Sequence, residues 1–111
     1  MKTTKVILFI AAFLLGPVAL AGTSVNGVTI RSIATGWGGE GIYITINEAV
    51  PAVEGCQDPR YVLLPDAPLF KENVSFALSA FHSQSKVNIY VIGCFGPPLN
   101  IHKISAVSLW K

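Results

Sequence analysis

The sequence has few of the residues, and none of the short motifs, on which most enzyme chemistry depends. It contains two histidines and two cysteines, and charged residues make up only 13% of the chain. Neither His82 nor His102 is spaced from another histidine, cysteine or carboxylate as metal ligands usually are. No G-x-S-x-G elbow and no phosphate-binding glycine loop are present. We therefore expect no catalytic residues, no metal site and no cofactor, and we predict that the protein is not an enzyme.

An excess of charge of one sign is also lacking once the N-terminal region is set aside. The net charge of the whole chain is +2, but Lys2 and Lys5 lie in a segment that we expect to be removed. Residues 22–111 then carry six basic and six acidic side chains. A neutral domain has no general attraction for phosphate backbones or anionic lipid headgroups. The composition therefore argues against nucleic acid as a partner.

The N-terminal segment has the three parts of a cleavable signal peptide in the expected order. A basic start is followed by the apolar run 6–15, and Ala19 and Ala21 form a small-x-small cleavage site. An uncleaved anchor is the weaker alternative, because the run is shorter than the roughly 20 apolar residues that a membrane span needs. We predict a signal peptide over residues 1–21, a single domain over 22–111 and no membrane span after cleavage. The mature protein is then expected to be secreted or periplasmic.

Both cysteines lie in the part of the chain that we expect to be exported. In an oxidising compartment an even pair of cysteines is usually a disulfide. Cys56 and Cys94 do not have the C-x-x-C spacing that is typical of redox-active pairs. We predict a structural bond between them, which the chain-entropy model values at about 4 kcal/mol.

Alternation of apolar and polar residues predicts the strands. Residues 41–47 alternate between two faces, and the apolar face carries Ile42, Ile44 and Ile46. A first strand around residues 28–33 precedes this one, and the glycine-rich turn 35–41 joins the two as a hairpin. Further strands are predicted over 60–64, 87–92 and 101–110. The alternation of the last strand slips near Ser105, which indicates a bulge.

One helix is predicted between the third and fourth strands. Asp66 stands where an N-cap residue belongs, and Pro68 falls in the first turn, where its missing N–H costs nothing. The helix is predicted over 67–84, with an apolar stripe that comprises Phe70, Val74, Ala77, Leu78 and Phe81. If Leu78 faces the core, its replacement by alanine costs about 2–5 kcal/mol.

The order of three strands, one helix and two strands favours a mainly β fold. It is the element order of the OB-fold, a five-stranded Greek-key barrel with a helix between its third and fourth strands. The alternative is an open α+β sheet with the helix on one face. Element order alone does not separate the two.

The glycine-rich turn contains the candidate ligand-binding residues. Trp37 is flanked by glycines, so its ring is a candidate stacking platform for a sugar or an anchor on a partner subunit. The alternative is that Trp37 folds back over one end of the barrel. Glu40 is the candidate acceptor for sugar hydroxyls, because it lies in the same exposed turn. Tyr43, at the start of the next strand, has the same two interpretations as Trp37.

Residues 70–91, FKENVSFALSAFHSQSKVNIYV, resemble a segment of a known protein family. The segment is similar to the helix-to-strand region of the B subunits of subtilase-cytotoxin-like and pertussis-like bacterial toxins. The resemblance implies an OB-fold protomer, a ring of five copies, host glycans as ligands and a separate enzymatic A subunit. The family's sugar site contains serine and tyrosine near the second strand, where this chain has its glycine-rich turn, so those residues are not carried over. A secreted or periplasmic structural or interaction protein is the alternative function.

Overall fold

The computed structural model describes residues 22–36 and 38–109. The predicted signal peptide, Trp37 and residues 110–111 lie outside these ranges. The described residues form six strands and one helix. In chain order these elements are β1 (Thr23–Val28), β2 (Ile30–Thr35), β3 (Ile42–Ile46), β4 (Asp58–Leu63), α1 (Phe70–Ser83), β5 (Val87–Phe95) and β6 (Ile101–Leu109). The protein is therefore mainly β, as predicted.

The strands form one mixed sheet in the order β1-β5-β6-β4-β3-β2. The β4–β6 pair is parallel, and every other neighbouring pair is antiparallel. β1 and β2 are the two edges of this sheet, although Thr29 alone separates them. Edges of a flat six-stranded sheet would lie about 24 Å apart, and one residue spans about 3.5 Å. The sheet therefore curls until its two edges meet at Thr29.

The prediction of a five-stranded barrel is wrong in its strand count and closure. The described residues form six strands, the helix lies between β4 and β5, and no ladder of hydrogen bonds joins β1 to β2. The predicted first strand, around 28–33, covers only the last residue of β1 and most of β2, and residues 23–27 of β1 were not predicted as a strand. The two strands are separated because the backbone N–H of Thr29 bonds to the Glu48 carboxylate, at 2.9 Å. The Thr29 carbonyl accepts the Asn47 N–H at 3.0 Å. The register of the β1–β5 ladder shifts between Val25 and Val28, and Gly27, with φ of 69°, lies within this shift.

The inner face of the sheet agrees with the predicted alternation. Ile44 and Ile46 are buried and Ile42 is half-buried, whereas Tyr43 and Thr45 lie on the opposite face. β2 and β3 pair as the predicted antiparallel hairpin. The predicted core residues of β5 are also completely buried, namely Val87, Ile89 and Val91.

The helix begins three residues later than predicted. It runs from Phe70 to Ser83, and its N-cap is Leu69, whose side chain makes no capping bond. Leu69 has φ of 56°, a left-handed conformation that separates the preceding turn from the helix. Asp66 is therefore not the N-cap, and the prediction of its role was wrong. At the other end, Gln84 is left-handed and stops the helix close to the predicted position.

The buried face of α1 differs from the predicted stripe. The buried helix residues are Asn73, Ala77 and Ala80. Phe70 and Val74 pack partly against the core as predicted, but Leu78 is 51% exposed and Phe81 is 39% exposed. The inward orientation predicted for these last two side chains is therefore wrong.

Asn73 explains this rotation because it binds the bulge in β6. Tyr90 pairs with Ala106 and Val91 with Ile104, so Ser105 is left without a partner in the ladder, and the predicted bulge is confirmed. The Asn73 side-chain amide donates to the Ser105 carbonyl at 3.2 Å. Its oxygen accepts the Val107 N–H at 3.1 Å. These bonds need Asn73 to face the sheet, and the small Ala77 and Ala80 let the helix approach closely.

The exposure of Leu78 changes the expected effect of its replacement. We predict that Leu78→Ala changes the free energy of unfolding by less than about 1 kcal/mol, because little apolar area leaves water on folding at this site. Urea unfolding of the purified protein measures this. The matched control is Ala77→Leu, which places extra volume in a buried contact and costs about 1–3 kcal/mol. A loss above 2 kcal/mol for Leu78→Ala would mean that another chain covers this residue.

The predicted disulfide is present. Cys56 and Cys94 are bonded, with their Cα atoms 5.4 Å apart. The bond joins the loop after β3 to the end of β5, two segments that are 38 residues apart in sequence. Within the ranges that the structure describes, no helix is long and apolar enough to cross a membrane.

Candidate ligand-binding cleft

A cleft of about 320 Å³ lies on the outer face of β2, β3 and β4. It exists because Ile44 and Ile46 point inward, so that the alternate residues Tyr43 and Thr45 must point outward. The loop before β6 adds an apolar rim with Leu99. The polar side chains that line the cleft are those of Ser32, Thr35, Glu40, Tyr43, Thr45 and Arg60.

Glu40 and Tyr43 are hydrogen-bonded to each other inside this cleft. The Tyr43 hydroxyl donates to Oε1 of Glu40 at 2.8 Å, and the Gly38 N–H donates to Oε2 at 2.9 Å. The bond from Tyr43 lowers the pKa of the Glu40 carboxyl. Burial, and then the same bond, raise the pKa of Tyr43. At neutral pH Glu40 is therefore ionised and Tyr43 keeps its proton.

Arg60 completes the polar wall of the cleft and is itself held by Asp58. Its Nε and Nη2 atoms each donate to one oxygen of the Asp58 carboxylate, both at 2.9 Å. This paired bond lowers the pKa of Asp58 and raises the pKa of Arg60. The guanidinium carbon lies 5.1 Å from the centre of the Tyr43 ring, within the range of a cation–π contact. Arg60 is thus fixed in place between Asp58 and Tyr43.

The glycines of the turn make room for Glu40. The Gly36 N–H donates to the Gly41 carbonyl at 2.8 Å and closes the turn. A Cβ atom at Gly36 would lie only 2.3 Å from the carboxyl carbon of Glu40. A side chain at residue 36 would therefore displace the carboxylate from the turn.

Two of the three predicted site residues come together in the cleft. Glu40 and Tyr43 line it and contact each other. Trp37 lies outside the described residues, so its stacking role stays a prediction, although its neighbour Gly38 bonds to Glu40. Sequence reasoning missed Arg60, which reaches Tyr43 diagonally because Tyr43 pairs with Val62 across β3 and β4. Within 22–36 and 38–109, no three His, Cys, Asp or Glu side chains are placed to share a metal ion.

A buried histidine contacts the backbone of Asp58, the residue that holds Arg60. The Nδ1 atom of His102 lies 2.8 Å from the Asp58 carbonyl, which can only accept, so Nδ1 donates. Its Nε2 atom accepts the Val53 N–H at 3.5 Å. The His102 ring also packs against Tyr61, with the ring centres 5.2 Å apart. His102 therefore joins β6 to the Asp58 backbone and to the loop that contains Val53.

Tyr61 makes the stability of the fold sensitive to alkaline pH. Its hydroxyl is buried without a hydrogen-bond partner among the described residues, and burial raises the pKa of Tyr61 to about 12. The unfolded chain loses this proton near pH 10. The contribution of the protonated Tyr61 to the free energy of unfolding is therefore fully present below pH 10. We predict that about 2–3 kcal/mol of it is lost between pH 10 and 12.

Unfolding of wild type and Tyr61→Phe across this pH range tests the assignment. Tyr61→Phe should be within about 1 kcal/mol of wild type at pH 7, because it removes an unpaired polar group and keeps the ring. Its stability should fall less than that of wild type between pH 10 and 12. Parallel curves for the two proteins would show that another group causes the alkaline loss.

Comparison of the chain with family models, curated proteins and solved structures finds no match. The similarity to toxin B subunits therefore stays a prediction from residues 70–91. The function has to be argued from the cleft and from its chemistry.

Proposed function

We propose that this protein is a secreted carbohydrate-binding module and that the glycan binds in the cleft on β2, β3 and β4. The observation that carries the proposal is the convergence of Glu40, Tyr43 and Arg60 in one cavity. Glu40 and Tyr43 are candidates from the sequence, and the cleft around them has the size of a small-molecule site, about 300–1,000 Å³. Its 320 Å³ suits a short glycan.

The side chains of the cleft match the chemistry of a sugar. Sugar hydroxyls both donate and accept hydrogen bonds. The ionised Glu40 carboxylate accepts them, and Arg60 keeps N–H groups beyond the two that bind Asp58. The exposed Leu99 offers an apolar surface for the C–H groups of a sugar ring. Trp37 remains our candidate for stacking.

The order of strands and helix along the chain offers further support for carbohydrate binding. If β1 and β2 are counted as one strand that is broken at Thr29, the chain has the OB-fold's order of three strands, a helix and two strands. OB-folds bind oligosaccharides or oligonucleotides on the face of their second and third strands. β3 and β4 are the equivalent strands here. The neutral charge of residues 22–111 favours the oligosaccharide.

Export and self-assembly belong to the same proposal. The disulfide is typical of secreted and periplasmic proteins. Exposed apolar side chains on α1, among them Phe76 and Phe81, are consistent with contacts between copies in a ring. A ring of five would present repeated weak sites to a glycan-covered host surface and so raise the avidity. An enzymatic A subunit is the partner that the toxin resemblance implies.

A second function is favoured by one observation. The polar groups of the cleft already satisfy one another, because Tyr43 bonds to Glu40 and Arg60 to Asp58. Such a network also suits an exported structural or interaction protein without a glycan ligand.

Glycan-array binding with light scattering separates the two functions. We predict that the exported protein binds glycans and that Tyr43→Phe weakens binding about five- to tenfold, because the variant loses only one hydroxyl. Arg60→Met should weaken it at least as much. Ser79→Ala, on the exposed side of α1, is the matched control and should bind like wild type. A monomer that binds no glycan would favour the structural function, and binding that is unaffected by Tyr43→Phe and Arg60→Met would move the site elsewhere.

A further inference from the structure

The ionised groups of the cleft do not balance. Arg60 and Asp58 neutralise each other through two parallel hydrogen bonds. They form the one ion pair among residues 22–36 and 38–109. Glu40 makes its two bonds to neutral donors, the Tyr43 hydroxyl and the Gly38 N–H. Among the described residues that line the cleft, Glu40 is therefore a carboxylate whose charge no cation compensates.

From this imbalance we propose that the cleft selects neutral glycans and discriminates against glycans that carry carboxylate or sulfate groups. The inference rests on the proposed function and adds the class of ligand. A neutral sugar can donate its hydroxyl protons to the Glu40 carboxylate. An anionic group in the same place would meet a like charge instead.

Arg60 does not supply the site with a free positive charge. Both oxygens of the Asp58 carboxylate are bonded to its guanidinium, which keeps the pair neutral as a unit. Its Nε donor is used within that pair, and the Tyr43 ring lies against the same guanidinium. Recognition of an anionic sugar usually needs an arginine whose paired donors are available to the ligand. The remaining Arg60 N–H groups suit a neutral hydroxyl or a carbonyl.

The size of the discrimination follows from the partial exposure of Glu40 to solvent. Interactions between solvent-exposed charges are weak and are screened by salt. We therefore expect neutral glycans to bind about fivefold tighter than their anionic derivatives at low ionic strength. The ratio should shrink as salt is added.

An array of matched glycans tests the inference. Each neutral oligosaccharide is printed beside its sialylated and sulfated forms, and binding is measured for wild type, Glu40→Gln and Glu72→Gln. Glu40→Gln keeps the size of the side chain and removes its charge, so the neutral-to-anionic ratio should fall towards one. Glu72→Gln removes an exposed carboxylate on α1, away from the cleft, and should keep the wild-type ratio.

The outcomes separate this inference from the function on which it rests. Tighter binding of anionic glycans by wild type would overturn the inference and leave carbohydrate binding in place. A neutral preference that survives unchanged in Glu40→Gln would also overturn it, since the preference would not come from that charge. Failure to bind any glycan would overturn the proposed function itself.

Discussion

Removal of the Cys56–Cys94 disulfide is expected to lower the free energy of unfolding by about 4 kcal/mol. The two cysteines are 38 residues apart, so the bond removes many conformations from the unfolded chain. It also fixes the loop between β3 and β4 to the end of β5. A domain of this size has a total stability of only about 5–15 kcal/mol. The expected loss is therefore a large part of the whole.

Denaturant unfolding of the oxidised protein, the reduced protein and the double variant Cys56→Ala/Cys94→Ala measures this loss. The reduced protein and the double variant should agree, because both lack the bond. If the double variant unfolds within 1 kcal/mol of the oxidised protein, the disulfide does not contribute as proposed.

Replacement of Asn73 by alanine is expected to cost about 3–4 kcal/mol. The substitution leaves the half-buried Ser105 carbonyl and the buried Val107 N–H without their partner. Each unsatisfied group costs about 1–3 kcal/mol. Because Asn73 is the polar residue among the buried residues of α1, its loss also loosens the contact of α1 with β6.

Two further variants sharpen the test. Asn73→Asp keeps an acceptor for Val107 but cannot donate to Ser105 at neutral pH, and it buries a charge, so it should be at least as damaging. Ser75→Ala changes an exposed residue two positions away and should alter stability by less than about 0.5 kcal/mol. A loss below 1 kcal/mol for Asn73→Ala would contradict the structural role of its side chain.

Features that depend on local patterns were predicted from the sequence. The alternation in β3, the hairpin with β2 and the bulge at Ser105 all follow from the order of residues within one or two strands. The disulfide was predicted because the part of the chain that we expect to be exported contains only two cysteines. The helix was found because its apolar residues recur with a helical period.

Features that depend on side-chain bonds between distant segments were not predicted. The orientation of α1 is set by Asn73 and its bonds to β6, more than 30 residues away. The prediction followed the apolar stripe and so placed Leu78 on the buried face of the helix. It did not place Asn73 there, because the sequence does not show which polar residue finds buried hydrogen-bond partners. The break between β1 and β2 likewise depends on Glu48, which bonds Thr29 from 19 residues further along the chain.

The residues of the candidate site also fall into a part that local sequence predicts and a part that it does not. Glu40 and Tyr43 are three residues apart, so an exposed turn before a strand was enough to identify both. Arg60 and Asp58 join them only through the pairing of β4 with β3, which residue types alone do not specify. The charge balance of the cleft depends on the positions of all four of these side chains, and therefore on the pairing of β3 with β4.

The most direct test of carbohydrate binding in this cleft is a titration of the isotope-labelled protein, followed by the chemical shifts of its backbone amides. The titrant is the neutral glycan that binds best on the array. Binding in the cleft predicts saturable shifts centred on Ser32, Tyr43 and Arg60, with α1 unaffected. Saturable shifts centred on α1, with none around the cleft, would contradict it.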